Sequence, residues 1–558
     1  MTASCVPWSR QESEPDMSAS KPISLTTVKP LQTASRRRAP LGLIIVAIVV
    51  VGLALVPLVY LLMRAAGASP LAWQQLFQPR TLRILSNSLL LAVTVTVSSI
   101  VLAVPLVWLL VRTDLPGRRF WTVALVLPLV IPSYVGAFTL LAMFGPRGIL
   151  QGWLEPLGVQ RLPEIYGFPG AWLILTLFTF PYVLLTVQAT WRRLDAGLEE
   201  AGRSLGHGSW SVFWRVTWPQ LRPAIAAGGL LVALYTLSDF GAVSLLRFNV
   251  FTMAIYTQYR SSFDRSLAAL LSLVLVALTL GILWGEQRAR GKARLSRSNA
   301  AGRPARPVRL GWWTPIALIL PAVIVVLALA LPLGVMLSWL MQGIKNGETW
   351  RPVGAAIVNS LTAGTLAAVV TVLAALPVAI LAARYRGTLS HWLERGAYIG
   401  YGLPGVVIGL SLVFFGANYL PALYQTMAIL IFAYAVRFLP QALGSTRSSL
   451  LQVSPRLDEA ARSLGLSPWQ TWRRVILPLV RPGILAGAAL VFLTVLKELP
   501  VTLMLAPNGF STLATQIWSA TAEAFFARAA LPSLILVLVS SLSVWIILSQ
   551  DRDRVEQA

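Results

Sequence analysis

Twelve stretches of about 20 apolar residues run through this chain, and they constrain its fold more than any motif does. They fall at about 41–63, 86–111, 121–144, 170–191, 223–245 and 266–285, then at 313–340, 358–383, 396–417, 422–445, 482–505 and 530–549. A helix needs about 20 residues to cross the hydrocarbon layer of a bilayer. Inside lipid each backbone N–H and C=O must be satisfied within the protein, which a helix achieves on its own. The expected fold is therefore all-α and integral to a membrane, since a barrel would show short alternating strands. Charged residues make up only 12% of the 558, about half the share a water-exposed surface requires.

The charge distribution orients the spans. A net charge of +25 on a soluble protein would suggest nucleic acid, but here the basic residues flank apolar spans as the positive-inside rule demands. No nucleic-acid partner is expected; the partner surface is the lipid bilayer. Residues 1–40 are polar, rich in Ser, Thr and Pro, and read as a disordered cytoplasmic tail in which Met17 is a second candidate start. Arg36, Arg37 and Arg38 precede span one, which at about 23 residues is longer than a cleavable signal core. With that end in the cytoplasm, the loop after span six carries Arg288, Arg290, Lys292, Arg294, Arg297, Arg303, Arg306 and Arg309 without an acid. The loop at 146–169 opposes Arg147 and Arg161 with Glu155 and Glu164. Both termini are expected in the cytoplasm of a multi-pass protein of the inner (plasma) membrane.

An internal duplication divides the chain. Asn87-Ser88-Leu89 recurs as Asn359-Ser360-Leu361, Pro105 as Pro377 and Pro132 as Pro404, each 272 residues on. Pro181 then recurs as Pro440 and Gly206 as Gly465, 259 residues on, as a shorter outer loop between spans nine and ten requires. The domains expected are a first half at 41–285, a basic linker at 286–311 and a second half at 312–550. Six spans per half give the halves the same orientation, with a pathway at their interface.

Two cytoplasmic loops repeat as well. Glu199-Glu200-Ala201-Gly202-Arg203-Ser204-Leu205-Gly206 is followed after nine residues by Val216-Thr217-Trp218-Pro219. Asp458-Glu459-Ala460-Ala461-Arg462-Ser463-Leu464-Gly465 is followed after nine by Val475-Ile476-Leu477-Pro478. The pattern predicts a short helix, a glycine turn and a second short helix ahead of a span started by proline. Trp210 and Trp469 are large apolar groups of the kind that anchor interfaces. Plain amphipathic helices lying on anionic lipid would not need two copies with the same Gly and Pro spacing.

These loops resemble the Glu-Ala-Ala motif of ABC-importer permeases, with Gly202 and Trp218 departing from it in the first copy. The resemblance covers nearly the whole chain from about residue 41, and it implies a type I importer permease fold of two parallel six-helix repeats. It implies that Glu200, Ala201, Gly206 and Pro219, with Glu459, Ala460, Gly465 and Pro478, form coupling helices for two copies of an ABC ATPase. A substrate-binding protein is the further partner implied. The chain has no Gly-x-x-x-x-Gly-Lys-Ser/Thr loop, so it is expected to bind no cofactor and to be no enzyme, with ATP-Mg held by the partner.

Spans five and eleven end in Ser238-Asp239-Phe240-Gly241 and Lys497-Glu498-Leu499-Pro500, with Asp239 and Glu498 259 apart. Ionisable groups at membrane depth are costly and usually functional, which makes Asp239, Lys497 and Glu498 candidates for a pathway or gate. The alternative is that the acids only cap span ends, with Lys497 as their salt-bridge partner. The fused design, the Asp-Phe-Gly segment and Leu496-Lys497-Glu498-Leu499-Pro500 resemble ferric-iron importer permeases; thiamine, polyamine and oxyanion permeases are similar at a lower level. No metal site is expected, because His207 and His391 are the only histidines and Cys5 the only cysteine. The rival from another class is a secondary transporter, which would need no paired coupling loops.

Overall fold

The computed structural model describes residues 39–261, 265–290, 307–349, 353–385 and 387–556, so the tail up to Arg38 and linker residues 291–306 lie outside the described part. Among the described residues nine helices are long and apolar enough to cross a membrane, two bent pairs would bring the spans to eleven, and Phe526–Leu542 is a shorter apolar helix at the place of the expected twelfth. Among the described residues the only strand-like feature is an isolated parallel bridge between Thr113 and Val308.

Spans three and nine are not the straight helices their hydropathy suggests. Arg118–Val130 meets Ser133–Leu157 at 98°, and Thr388–Gly402 meets Gly405–Tyr419 at 103°. The cause is the repeated proline. Pro132 and Pro404 offer no N–H and push the residue before them out of helical geometry; Ile131 (φ −77°, ψ 122°) and Leu403 (φ −100°, ψ 105°) are both extended.

Spans five and eleven also differ from expectation. Pro219 and Pro478 do not start new helices: Ser209–Ser238 and Pro468–Leu496 each run on continuously from the second short coupling helix. A π-helical turn occupies Phe213–Thr217 in one and Trp472–Ile476 in the other. Each π turn directly precedes two prolines four apart, and a widened turn accommodates the backbone donors they remove.

The first span of each half crosses to the other. Leu41–Ala66 packs on spans eight and nine as well as on its own span six, while the helices of 314–345 pack on spans two to four and on span twelve. Tyr60 fixes the first crossing: its hydroxyl accepts from Asn418 Nδ2 at 3.2 Å and its ring meets Phe415 and Tyr419 edge-on. Trp339 fixes the second, stacked between Phe138 of the first half and Phe526 of the second. The linker therefore divides the sequence, whereas the packing interlocks the halves.

Candidate functional site

The cytoplasmic-loop motif folds into the same turn twice. Asp195 caps Ala196–Ser204 through the Gly197 N–H at 3.0 Å, and Ser454 caps Pro455–Ser463 through the Arg456 N–H at 3.3 Å. Gly206 and Gly465 then both take φ +82°, a left-handed value that favours glycine. His207 N–H returns to the Gly202 carbonyl and Leu466 N–H to the Ala461 carbonyl, each at 3.2 Å, closing the Schellman pattern that ends a helix. Beyond these turns Leu205, Leu464, Trp210 and Trp469 stand 79%, 84%, 73% and 68% exposed. Apolar groups this bare in matched positions mark a surface built to be covered by another protein. Glu200, Ala201, Gly206 and Pro219 are exposed on it, as are Glu459, Ala460, Gly465 and Pro478.

The acid one residue earlier faces inward. Glu199 is buried, forms an ion pair with Arg112 at the end of span two and accepts from Thr217 Oγ1 at 2.9 Å. In the second half Asp458 pairs along its own helix with Arg462 at 3.3 Å, as Glu199 also does with Arg203 at 3.9 Å; Arg384 lies close enough to Asp458 to feel its charge, and Ile476 stands where Thr217 does. Arg384, the counterpart of Arg112, has its Nε and Nη2 buried without a hydrogen-bond partner among the described residues.

The linker's end reaches the same corner of the first half. Val308 N–H donates to the Arg112 carbonyl at 2.7 Å, Asp114 N–H donates to the Val308 carbonyl at 3.1 Å, and Leu310 N–H donates to Asp114 Oδ1 at 2.8 Å.

At the far ends of spans five and eleven the two candidate gate acids occupy equivalent places. Asp239 Oδ1 accepts from the Ala242 and Val243 N–H groups at 3.0 and 3.4 Å, so it caps the short helix Gly241–Leu245. Glu498 Oε1 accepts from Val501 N–H at 3.2 Å and caps Pro500–Leu505. Their remaining partners diverge in a complementary way. In the first half Ser133 Oγ donates to Asp239. In the second half Gly405 stands in the place of Ser133, and a Cβ there would lie 1.4 Å from Arg437 Nη1. The missing side chain admits the Arg437 guanidinium, which reaches Glu498 Oε1 at 3.0 Å. Position 178, the counterpart of Arg437, is a phenylalanine.

Lys497 is not the partner of either acid, contrary to the simple capping picture. Its Nζ donates to the Leu129 carbonyl at 2.9 Å, at the bend of span three, and so bridges the halves. Thr279 makes a second crossing, donating to the Gly402 carbonyl at 2.6 Å in the bend of span nine. The repeated Asn-Ser pairs hold the segments beyond the breaks. Asn87 and Ser88 bind the Asn249 carbonyl and the Phe251 N–H, while Asn359 and Ser360 bind the Ser511 carbonyl and the Leu513 N–H. A cavity of about 270 Å³ opens beside the Glu498 break, lined by Thr502, Phe510, Ser511, Thr515, Gln516 and Trp518 among others. Trp518 lies across the interface, its ring 6.2 Å from both Phe240 and Tyr256.

Arg437, Ser133, Arg112 and Thr217 were missed by sequence reasoning. Arg437 carried a signal, as the lone charge within the apolar stretch 422–445. Arg112 and Thr217 carried none, because only the folded loop brings them to Glu199.

Comparison with known proteins fits this geometry. The profile of the family described as binding-protein-dependent transport system inner membrane component matches residues 84–286 and again 375–554, once in each half. An Fe(3+)-transport system permease protein of Haemophilus influenzae is 37% identical over 92% of this chain and 98% of its own length. A thiamine transport system permease protein of Escherichia coli is 24% identical over 79% of this chain and 84% of its own. A sulfate transport system permease protein of the same organism is 28% identical over 41% of this chain and 84% of its own. Two bent spans, two matched glycine turns and two profile matches in one polypeptide lead to one conclusion: the chain is a multi-pass inner-membrane permease of ABC importers and belongs to the binding-protein-dependent transport system inner membrane component family.

Proposed function

We propose that this permease passes Fe(III), handed over by an extracellular or periplasmic binding protein, with ATP hydrolysed by two copies of a separate ATPase subunit. The observation that carries the iron reading is the identity to the Fe(3+) permease, which runs through both halves rather than through one conserved segment. The thiamine permease is matched at lower identity and over less of the chain.

In this mechanism each ATPase subunit seats one coupling turn, at Gly206 or Gly465, with both termini of the chain on that cytoplasmic side. ATP-Mg stays on the ATPase, and this chain holds no cofactor of its own. Movement of the first turn passes through Glu199 to Arg112 and so into span two. Asp239, Glu498 and Lys497 act as the gate. In the closed arrangement each acid pins a broken segment through its helix cap, and Lys497 holds the bend of span three. Parting the halves breaks the Lys497 bond and frees the pathway between the bends.

The test is uptake of radiolabelled Fe(III) into proteoliposomes holding the full chain and its ATPase, with binding protein and thiamine in parallel. Iron uptake that needs both binding protein and ATP is expected. Uptake of thiamine, a polyamine or sulfate in its place would overturn the iron assignment. Uptake driven by an ion gradient without ATP would overturn the ATP-coupled mechanism.

A further inference from the structure

The surface opposite the coupling turns is charged in one half only. In the first half its loop at 145–167 balances itself, with Arg147 and Arg161 against Glu155 and Glu164 and an Arg161–Glu164 pair at 2.8 Å. The other two segments of that face, 64–85 and 240–266, hold Arg64, Arg80, Arg83, Arg247, Arg260 and Arg265 against the single acid Asp264. The corresponding segments of the second half hold Lys345, Arg351 and Arg528 against Glu348 and Glu523. There Arg528 is taken up by an ion pair with Glu348. Asp264 and Arg351 lie outside the described residues.

All six arginines are exposed, and among the described residues none forms an ion pair with a carboxylate. Four are nevertheless held in place by aromatic groups. Arg64 lies 5.4 Å from the Phe414 ring, Arg265 lies 5.0 Å from Tyr259 and 5.8 Å from Phe414, and Arg247 lies 5.6 Å from Tyr166. Arg260 Nη1 donates to Tyr256 Oη at 3.4 Å. A ring face orients a guanidinium without neutralising it. The result is a fixed positive surface on the side where the positive-inside rule disfavours one, so its retention calls for a partner.

We propose that this arginine face, which belongs to segments of the first half but reaches over Phe414 at the end of span nine, receives an acidic lobe of the binding protein, while the surface around Lys345 and the Glu348–Arg528 pair receives a lobe of little net charge, so that docking has one fixed polarity. The proposal rests on the binding-protein-dependent reading but not on iron. Opposed charges chiefly raise the rate and fix the orientation of encounter, and at exposed sites they weaken with salt.

The experiment measures association of binding protein with the full chain and its ATPase in nanodiscs, without cargo, across a range of salt. Arg64→Glu with Arg265→Glu, and separately Arg247→Glu with Arg260→Glu, should slow association by about tenfold or more at low salt and flatten its salt dependence. Lys345→Glu in the second half should change it by less than about twofold. Basal ATP hydrolysis should persist in each variant, which shows that the complex has folded. Reversing acids on one lobe of the binding protein should recover association with the first two variants. Unchanged association, or an equal loss with Lys345→Glu, would overturn the proposal. So would association that holds while capture of an anionic ferric chelate, or contact with anionic lipid vesicles, is what falls. Because no cargo is present, absence of iron uptake would leave this result standing.

Discussion

Around Gly206 and Gly465 the two halves trace the same backbone, yet they are braced differently from behind. The first coupling helix is tied to span two by Glu199, Arg112 and Thr217, and the linker pairs with that same end of span two at Val308. The second has an acid paired within its own helix and Ile476 in place of a hydroxyl. What both copies keep is the surface offered to a partner; what diverged is the connection from that surface into the spans. The breaks at Asp239 and Glu498 repeat the pattern, with a serine serving Asp239 and a glycine-plus-arginine arrangement serving Glu498. Behind two equivalent inputs, what the first half adds is the Thr217 hydroxyl and the contact with Val308.

The largest effect is expected where a buried charge would lose its partner. Arg437→Met leaves Glu498 buried without its cation, a change that costs about 3–5 kcal/mol, whereas Ser133→Ala removes one hydrogen bond to Asp239 at about 1–3 kcal/mol. Thermal unfolding of the purified protein should show a clear drop for the first and a smaller one for the second. Adding Glu498→Gln to Arg437→Met should recover most of the loss. Equal melting of Arg437→Met and the parent would remove the asymmetry at the gate.

Next comes the coupling brace itself. Arg112→Ala should cut substrate moved per ATP hydrolysed by about tenfold, because the freed Glu199 no longer carries movement into span two and the pair is worth more than about 1.4 kcal/mol. Arg384→Ala should change the same ratio by a smaller factor, since Asp458 keeps its Arg462 pair and Ile476 offers no hydroxyl to complete a brace. Equal losses from both would show that the halves are coupled alike.

Much of this was legible in the sequence, and the reason is periodic. Hydropathy located the apolar helices, and an offset of 259 aligned Gly206 with Gly465 and Asp239 with Glu498. The earlier offset of 272 paired Pro132 with Pro404, but an apolar run reads alike whether straight or bent, so the 98° and 103° breaks were invisible. The Ser133–Asp239 and Arg437–Glu498 contacts join residues on different spans, and no local pattern encodes them. The exchange of first spans was illegible for the same reason: Leu41–Ala66 is apolar on every side, and its partner is chosen by packing.

Lys497 offers a test that separates the halves' interface from their interiors. Lys497→Met removes the charged hydrogen bond to Leu129, worth about 1.5–3 kcal/mol, and leaves both helix caps in place. Hydrolysis of ATP without binding protein should rise, by about tenfold to about a hundredfold if the whole bond energy biases the closed state. Hydrolysis that stays at the parent level would mean that this bond does not hold the gate shut.

The smallest effect belongs to the linker's clasp. Asp114→Ala deletes the acceptor for Leu310 N–H but leaves the two backbone bonds between Arg112, Asp114 and Val308, so the loss is about 0.5–1.5 kcal/mol. Amide exchange at Val308 and Leu310 should quicken, with little change in overall stability. If the clasp stiffens the first coupling corner, substrate moved per ATP should fall slightly in Asp114→Ala, and the double variant with Arg112→Ala should fall no further than Arg112→Ala alone. Separate, additive losses in that double variant would mean that brace and clasp act independently, each bracing the first half by its own route.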